Sequence, residues 1–331
     1  MTDKANAYNV FAGPNGLKNF LDPDYHLPTP LVELDAELNP FIESNVKIFA
    51  KLAYLSPLLT IKWNAAFHML AEAHRKGGLK GVKRLVENSS GGTVFALAIL
   101  ARVIYDITDV EARVPADMAP GKLESLRLMD IKYVINTSNG PNGTELARIE
   151  GRRPGTFNPD QYSNVANWQA HEKWLGPQIW KQTEGRVSVY GAALGTTGTL
   201  IGPAKYFQQA QSKVAIVGIL PTKDQVPGAR TQQRIEADVK FDWLASVDHC
   251  VFIDPVEAYR KSLALWRRGI VAGPSSGLAL AGIHSFLEEK RRDWKSLRNR
   301  DGEIVAVFPC ADIAQLYAEK YSTHLDAADI A

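Results

Sequence analysis

Eight short runs rich in valine and isoleucine, VKIFAKLA, VKRLVE, VEARV, IKYVIN, RVSVYGA, KVAIVGIL, HCVFID and EIVAVF, are spread along the chain, separated mostly by helix-length segments. β-Branched side chains fit a pleated, half-buried surface. A strand followed by a crossover of a dozen or more residues returns to a parallel partner. The alternation therefore predicts an α/β fold of three-layer αβα type, with parallel-type sheets covered by helices on both faces. Trp63, Phe67 and Leu70 fall at i, i+4 and i+7 and predict a helix from Trp63 to Arg75. Asp254 as cap and Pro255 in the first turn predict another, running to Arg268. A chain of 331 residues exceeds a comfortable single core, so two domains are expected. NGPNGTE and GRRPGTFNPD gather glycine, proline and polar residues between about Gly140 and Asp160, which marks a boundary.

Charge narrows the partner. Thirty-eight basic and thirty-six acidic side chains leave a formal charge of +2, with no global field for nucleic acid or an anionic membrane. A small-molecule partner is expected. The mixed-sign run EEKRRDWKSLRNRDGE reads as a solvated helix and turn. Cys250 and Cys310 lie sixty positions apart outside any metal-ligand pattern, so neither zinc nor a disulfide framework is expected, and a reducing, cytoplasmic setting fits. The N-terminal stretch has no export-signal pattern, and no apolar run reaches membrane-spanning length.

Four stretches carry candidate chemistry. In ALGTTGTLIG, Gly195, Thr196, Thr197, Gly198 and Thr199 leave a strand and open a helix. Such a turn converges backbone N–H groups on an anion at a helix N-terminus, or else serves only close packing. It matches neither a Walker A loop nor GxGxxG. In ENSSGGTVFALA, small hydroxyl and glycine residues open an apolar helix, where the N–H groups of Ser90, Gly91, Gly92 and Thr93 suit a carboxylate, or the serine is an ordinary cap. In VAGPSSGLALAG, Ser275 and Ser276 do the same, with capping and ligand contact both open. In AYLSPLLTIKWNAAF, Lys62 interrupts an apolar neighbourhood, where a partly buried amine suits Schiff-base formation. His171 and His68 lack ligand spacing and read as structural.

Taken in order, these pieces resemble the cysteine synthase and cystathionine β-synthase family of pyridoxal 5'-phosphate (PLP) enzymes, fold type II. TPLVEL opens the resemblance, and AKLAYLSPLLTIKWN stands against the family's NPxGSxKDR segment. ENSSGGTVFALA stands against TSGNTGxALA, QYSNVANWQAH against QFxNxxNxxxH, GTTGTLIG against GTGGTxTG, and VAGPSSGLALAG against GISSGAAxAA. Six matches in the same order span nearly the whole chain. The resemblance implies a tryptophan synthase β-subunit-like architecture. A smaller domain over residues 45–157 would carry the carboxylate loop, and a larger one over 1–44 and 158–331 the phosphate loop.

It also implies roles. Lys62 would bind PLP as a Schiff base and shuttle the α-proton, Gly195 to Thr199 would hold the phosphate, and Ser275 would face the pyridine nitrogen. Ser89, Ser90, Gly91 and Thr93 would bind the substrate carboxylate, with Gln161 contributing from the second domain. The implied reaction is β-replacement or β-elimination on a serine- or cysteine-like amino acid through an aminoacrylate, with a small nucleophile, by a cytoplasmic homodimer, in specialised metabolism. A catalytically degenerate PLP-binding partner protein and a serine or threonine dehydratase are the alternatives. The departures are specific. Gly92 stands where the family has the asparagine beside the cofactor's phenolic oxygen, and Thr197 stands for a phosphate-loop glycine. Leu58 and Leu59 replace small residues, Trp63 and Asn64 replace an acid and an arginine, and PCADIAQLY replaces a PDxGxRYL-type segment.

Overall fold

A computed structural model describes residues 8–89, 91–116, 118, 120–136, 142–210 and 213–330, and within it all eight runs are strands. In chain order the strands are β1 (Leu31–Glu33), β2 (Val46–Lys51), β3 (Arg84–Asn88), β4 (Asp109–Val114) and β5 (Lys132–Ile135). They continue with β6 (Thr156–Phe157), β7 (Val189–Ala193), β8 (Ala215–Pro221), β9 (His249–Ile253) and β10 (Ile304–Pro309). Only β1 and the two-residue β6 lie outside the predicted set. One sheet has the order β1-β2-β10-β7-β8-β9 and the other β5-β4-β3-β6. Every pairing is parallel except β1 with β2. The two predicted helices are present as Lys62–Arg75 and Pro255–Arg267, the second capped by Asp254, whose side chain accepts from Val256 N–H at 2.9 Å.

The sheets belong to separate units. Residues up to Leu27, with Lys62–Asn167, hold the four-stranded sheet, whereas Pro28–Ile61 and the chain from Trp168 onward hold the six-stranded one. These bounds differ from 45 and 157, for two local reasons. β2 pairs with β10 from Val46 opposite Ile304 through Lys51 opposite Pro309, which keeps its segment in the six-stranded sheet. Past residue 157, Asn158 Nδ2 donates to Val86 O at 2.7 Å and Gln161 Nε2 to Asn88 O at 2.9 Å, which ties that stretch to β3.

Strand alternation sets the two faces of the larger sheet. A Cβ on Gly191 of β7 would lie 2.5 Å from Ile283 Cδ1, so this face receives the Pro274–Glu289 helix closely. Tyr190, its neighbour, turns the other way and meets Phe207 of the Gly198–Gln209 helix edge-on, with ring centroids 5.7 Å apart. The sheet thus has a helix on each side. Among the described residues no helix is long and apolar enough to cross a membrane.

Lys51 ends β2 fully buried, its Nζ donating to Thr29 O at 2.6 Å and to Gln182 Oε1 at 2.8 Å. Two acceptors match the two N–H groups of a neutral amine. Burial lowers this amine from 10.5 to about 7. Between those values the unfolded chain holds a proton that the folded chain does not, so this group makes stability rise with pH, by at most about 1.4 kcal/mol per pH unit. In Lys51→Met this contribution should vanish, as urea denaturation between pH 7 and pH 10 will show; an unchanged slope would contradict the assignment.

Candidate active site

In the larger unit, β7 runs into the glycine-threonine turn through Leu194. The Leu194 N–H donates to Ile219 O at 2.9 Å and its carbonyl accepts from Arg230 N–H at 2.8 Å. The next residue has no space for a side chain, because a Cβ on Gly195 would sit 2.4 Å from Gly228 O. Thr196 and Thr197 are buried, and Thr197 has φ +67°, a left-handed conformation that costs an L-residue roughly 1–2 kcal/mol. The carbonyl of Thr197 accepts from Leu200 and Ile201 N–H at 3.0 Å each, which starts the Gly198–Gln209 helix. Its hydroxyl is buried without a hydrogen-bond partner. A backbone turn at a helix N-terminus, with a hydroxyl awaiting an acceptor, suits a phosphate.

Ser275 is the second residue of the Pro274–Glu289 helix, buried, and its Oγ also lacks a partner. A Cβ built on Gly228 would lie 3.8 Å from that Oγ, so the turn that crowds Gly195 also borders Ser275. The following hydroxyl is occupied: Ser276 Oγ accepts from Ala311 N–H at 3.2 Å. The Ala311 carbonyl in turn accepts from Ile61 N–H at 2.7 Å, and Thr60 bridges Asp312. Tyr317 Oη donates to Asp312 Oδ2 at 2.5 Å, so the PCADIAQLY segment is held at both ends. The residue immediately before Lys62 is therefore fixed to the segment that also holds Ser276. Lys62 itself is the first residue of its helix and half-buried.

In the smaller unit, Ser89, Gly91, Gly92, Thr93 and Gln161 come together; Ser90 lies outside the described residues. The Gly92–Tyr105 helix starts here, with Gly91 and Val94 N–H both 3.4 Å from Ser89 Oγ. Thr93 Oγ1 donates to Gln161 Oε1 at 2.8 Å, and Gln161 Nε2 to Asn88 O. Gln161 thus sits in the same unit as this loop and braces it, rather than approaching from the other domain. Glu87 is a supporting residue not singled out from the chain. Its carboxyl accepts from Asn88 N–H at 2.9 Å and from Gln161 N–H at 3.3 Å. The signal was an acid closing the apolar strand VKRLVE.

The family profile described as pyridoxal-phosphate dependent enzyme matches residues 23–308. Cysteine synthase A of Escherichia coli is 30% identical over 324 residues, covering 88% of this chain and 94% of that protein. The chain belongs to this family. Cysteine synthase of Aquifex aeolicus is 29% identical over 289 residues, covering 85% of this chain and 86% of that protein. Among solved structures, cysteine synthase of Entamoeba histolytica superposes with TM-score 0.76 at 23% identity, covering 98% and 95% of the two chains. O-ureido-L-serine synthase superposes with TM-score 0.77 at 22% identity, covering 91% and 94%. The fold is that of fold type II PLP enzymes, and the protein is a cysteine synthase-like, PLP-dependent enzyme.

The residues present fit that cofactor. PLP carries a phosphate at one end and a ring nitrogen at the other. Two buried hydroxyls stand unpartnered, Thr197 Oγ1 within the glycine-threonine turn and Ser275 Oγ beside Gly228, whose carbonyl crowds Gly195 of that turn, and a group with acceptors would satisfy them. The left-handed φ at Thr197 also explains why the family keeps a glycine there. Thr197→Gly should raise the stability of the cofactor-free protein by about 1 kcal/mol, read as a higher denaturant midpoint; a lower midpoint would show the threonine to be unstrained.

Burial first, and then the charge of Asp160, raise the Glu87 carboxyl from 4.5 to about 8. Over that range the folded chain holds a proton that the unfolded chain has lost, so this group makes stability fall as pH rises from 4.5 to 8. Glu87→Gln should remove this fall while keeping the fold, measured as the pH dependence of thermal unfolding. Wild-type behaviour in the variant would place the titration elsewhere.

Proposed function

We propose that this enzyme carries out β-replacement or β-elimination on a serine- or cysteine-like amino acid, with a small nucleophile as second substrate, as a homodimer in the cytoplasm. The observation that carries the proposal is the pair of unpartnered buried hydroxyls of Thr197 and Ser275. The relatives named cysteine synthase support the substrate class.

When bound, PLP supplies an electron sink for the substrate's α-carbon. The chain's own residues do the rest. The Gly195–Thr199 turn grips the phosphate through backbone N–H groups and the Thr197 hydroxyl. Ser275 would present a neutral hydroxyl to the ring nitrogen, which would not enforce a protonated ring as a carboxylate would and so would moderate the sink towards loss of a β-substituent. Lys62 would hold the cofactor covalently and, once the substrate's amine has displaced it, its freed Nζ would accept and return the α-proton. Ser89, Gly91 and Thr93 receive the substrate carboxylate at a helix N-terminus, with Gln161 and Glu87 keeping that loop in place. Each hydrogen bond to the carboxylate contributes about 1.5–3 kcal/mol.

Borohydride reduction followed by peptide mapping should place the cofactor on Lys62. Lys62→Ala should lose the lysine-linked absorbance and slow turnover by about a thousandfold or more. Product analysis then separates the chemistries: a thiol or thioether product indicates replacement, whereas ammonia with a 2-oxo acid indicates elimination or dehydration. Cofactor attached at another lysine, or full activity in Lys62→Ala, would overturn the proposal.

A further inference from the structure

The helix that begins at the glycine-threonine turn carries a proline at position 203, inside its second turn. In an α-helix the N–H of residue 203 would bond the carbonyl of residue 199. Proline has no N–H, so Thr199 O, in the first turn, loses that donor. The sheet beneath provides another: Tyr190 Oη donates to Thr199 O at 2.7 Å. Tyr190 has no exposed surface, its ring is packed against Phe207, and burial pushes its phenol upward, so it remains a protonated donor. The same helix also meets backbone at close range. A Cβ on Gly202 would lie 2.4 Å from Trp168 O and 2.5 Å from Glu172 N, so the helix is seated closely on that segment and cannot accept a larger residue there.

We propose that Tyr190 is a positioning residue for phosphate binding: its hydroxyl takes the place of the N–H that Pro203 lacks and sets the angle at which the first helical turn presents residues 195–199. Tyr190 touches no ligand in this role; it acts through Thr199. The inference rests on the reading that this turn holds the cofactor phosphate. Its particular content is that Tyr190 and Pro203 are coupled. The hydroxyl is needed because of the proline, and a donor restored at position 203 makes it dispensable.

The full-length protein, freed of cofactor, would be titrated with PLP and separately with pyridoxal, which lacks the phosphate. The preference for PLP over pyridoxal then reports the cradle alone. Tyr190→Phe, which removes one oxygen, should cut that preference about tenfold by leaving a carbonyl without its donor. The affinity for pyridoxal should stay unchanged. Pro203→Ala should keep the wild-type preference, and Tyr190→Phe combined with Pro203→Ala should return to within about twofold of Pro203→Ala alone, the non-additivity expected of directly coupled sites. If Tyr190→Phe does not fold, the double variant should fold and show that same preference. A preference untouched by Tyr190→Phe, or one not restored in the double variant, overturns the coupling while leaving the cradle standing. If the wild-type protein shows no preference for PLP over pyridoxal, the cradle reading itself fails.

Discussion

Ala311 is bonded in two directions, and the seating of the serine helix and of the stretch ending at Ile61 within the larger unit depends on it. Its N–H reaches Ser276 Oγ and its carbonyl receives Ile61 N–H. One residue beyond each of these partners stands a group with proposed chemistry, Ser275 on one side and Lys62 on the other. A pair of ordinary hydrogen bonds, each contributing about 1 kcal/mol to stability, thus governs geometry more than energy. Loss of either would release one of two segments of the larger unit, the stretch ending at Ile61 or the serine helix, from Ala311.

Buried polar groups in this protein fall into two kinds, and the difference indicates function. Lys51, Glu87, Gln161 and Tyr190 are all buried, and each has its polar atoms in hydrogen bonds to backbone or to a neighbouring side chain. These are structural solutions, since a buried donor or acceptor left unmade costs about 1–3 kcal/mol. Thr197 Oγ1 and Ser275 Oγ are equally hidden from water but have no such solution within the chain. Their cost is tolerable if a bound group with acceptors removes it, the role proposed for PLP.

The departures from the family pattern become intelligible in the same terms. Thr197 adopts the backbone angle that glycine adopts readily, while adding a hydroxyl to the cradle. Leu59, another replacement for a small residue, is also left-handed at φ +52°. Pro203 removes a helical donor and Tyr190 supplies one.

Much of the fold was legible because hydrophobic period is local: eight runs of β-branched residues became eight strands, and the Asp254-Pro255 cap opened the helix it predicted. The motif order likewise picked out Lys62, Ser275 and the Gly195–Thr199 turn as candidates, and the turn and Ser275 carry the unpartnered buried hydroxyls on which the proposed function rests. β1 and β6 were not legible, being three and two residues long, too short to show a period. Nor were the bounds of the units, because β2 finds its partner β10 some 250 residues later in the chain, and only pairing reveals that. The sequence by itself determined the secondary elements and the residue types at the site. The tertiary structure alone decided that Gln161 and Glu87 brace one loop, that Ala311 joins two segments, and that Tyr190 answers Pro203. Each of these is a contact between residues distant or unpatterned in sequence, and such contacts leave no local signal.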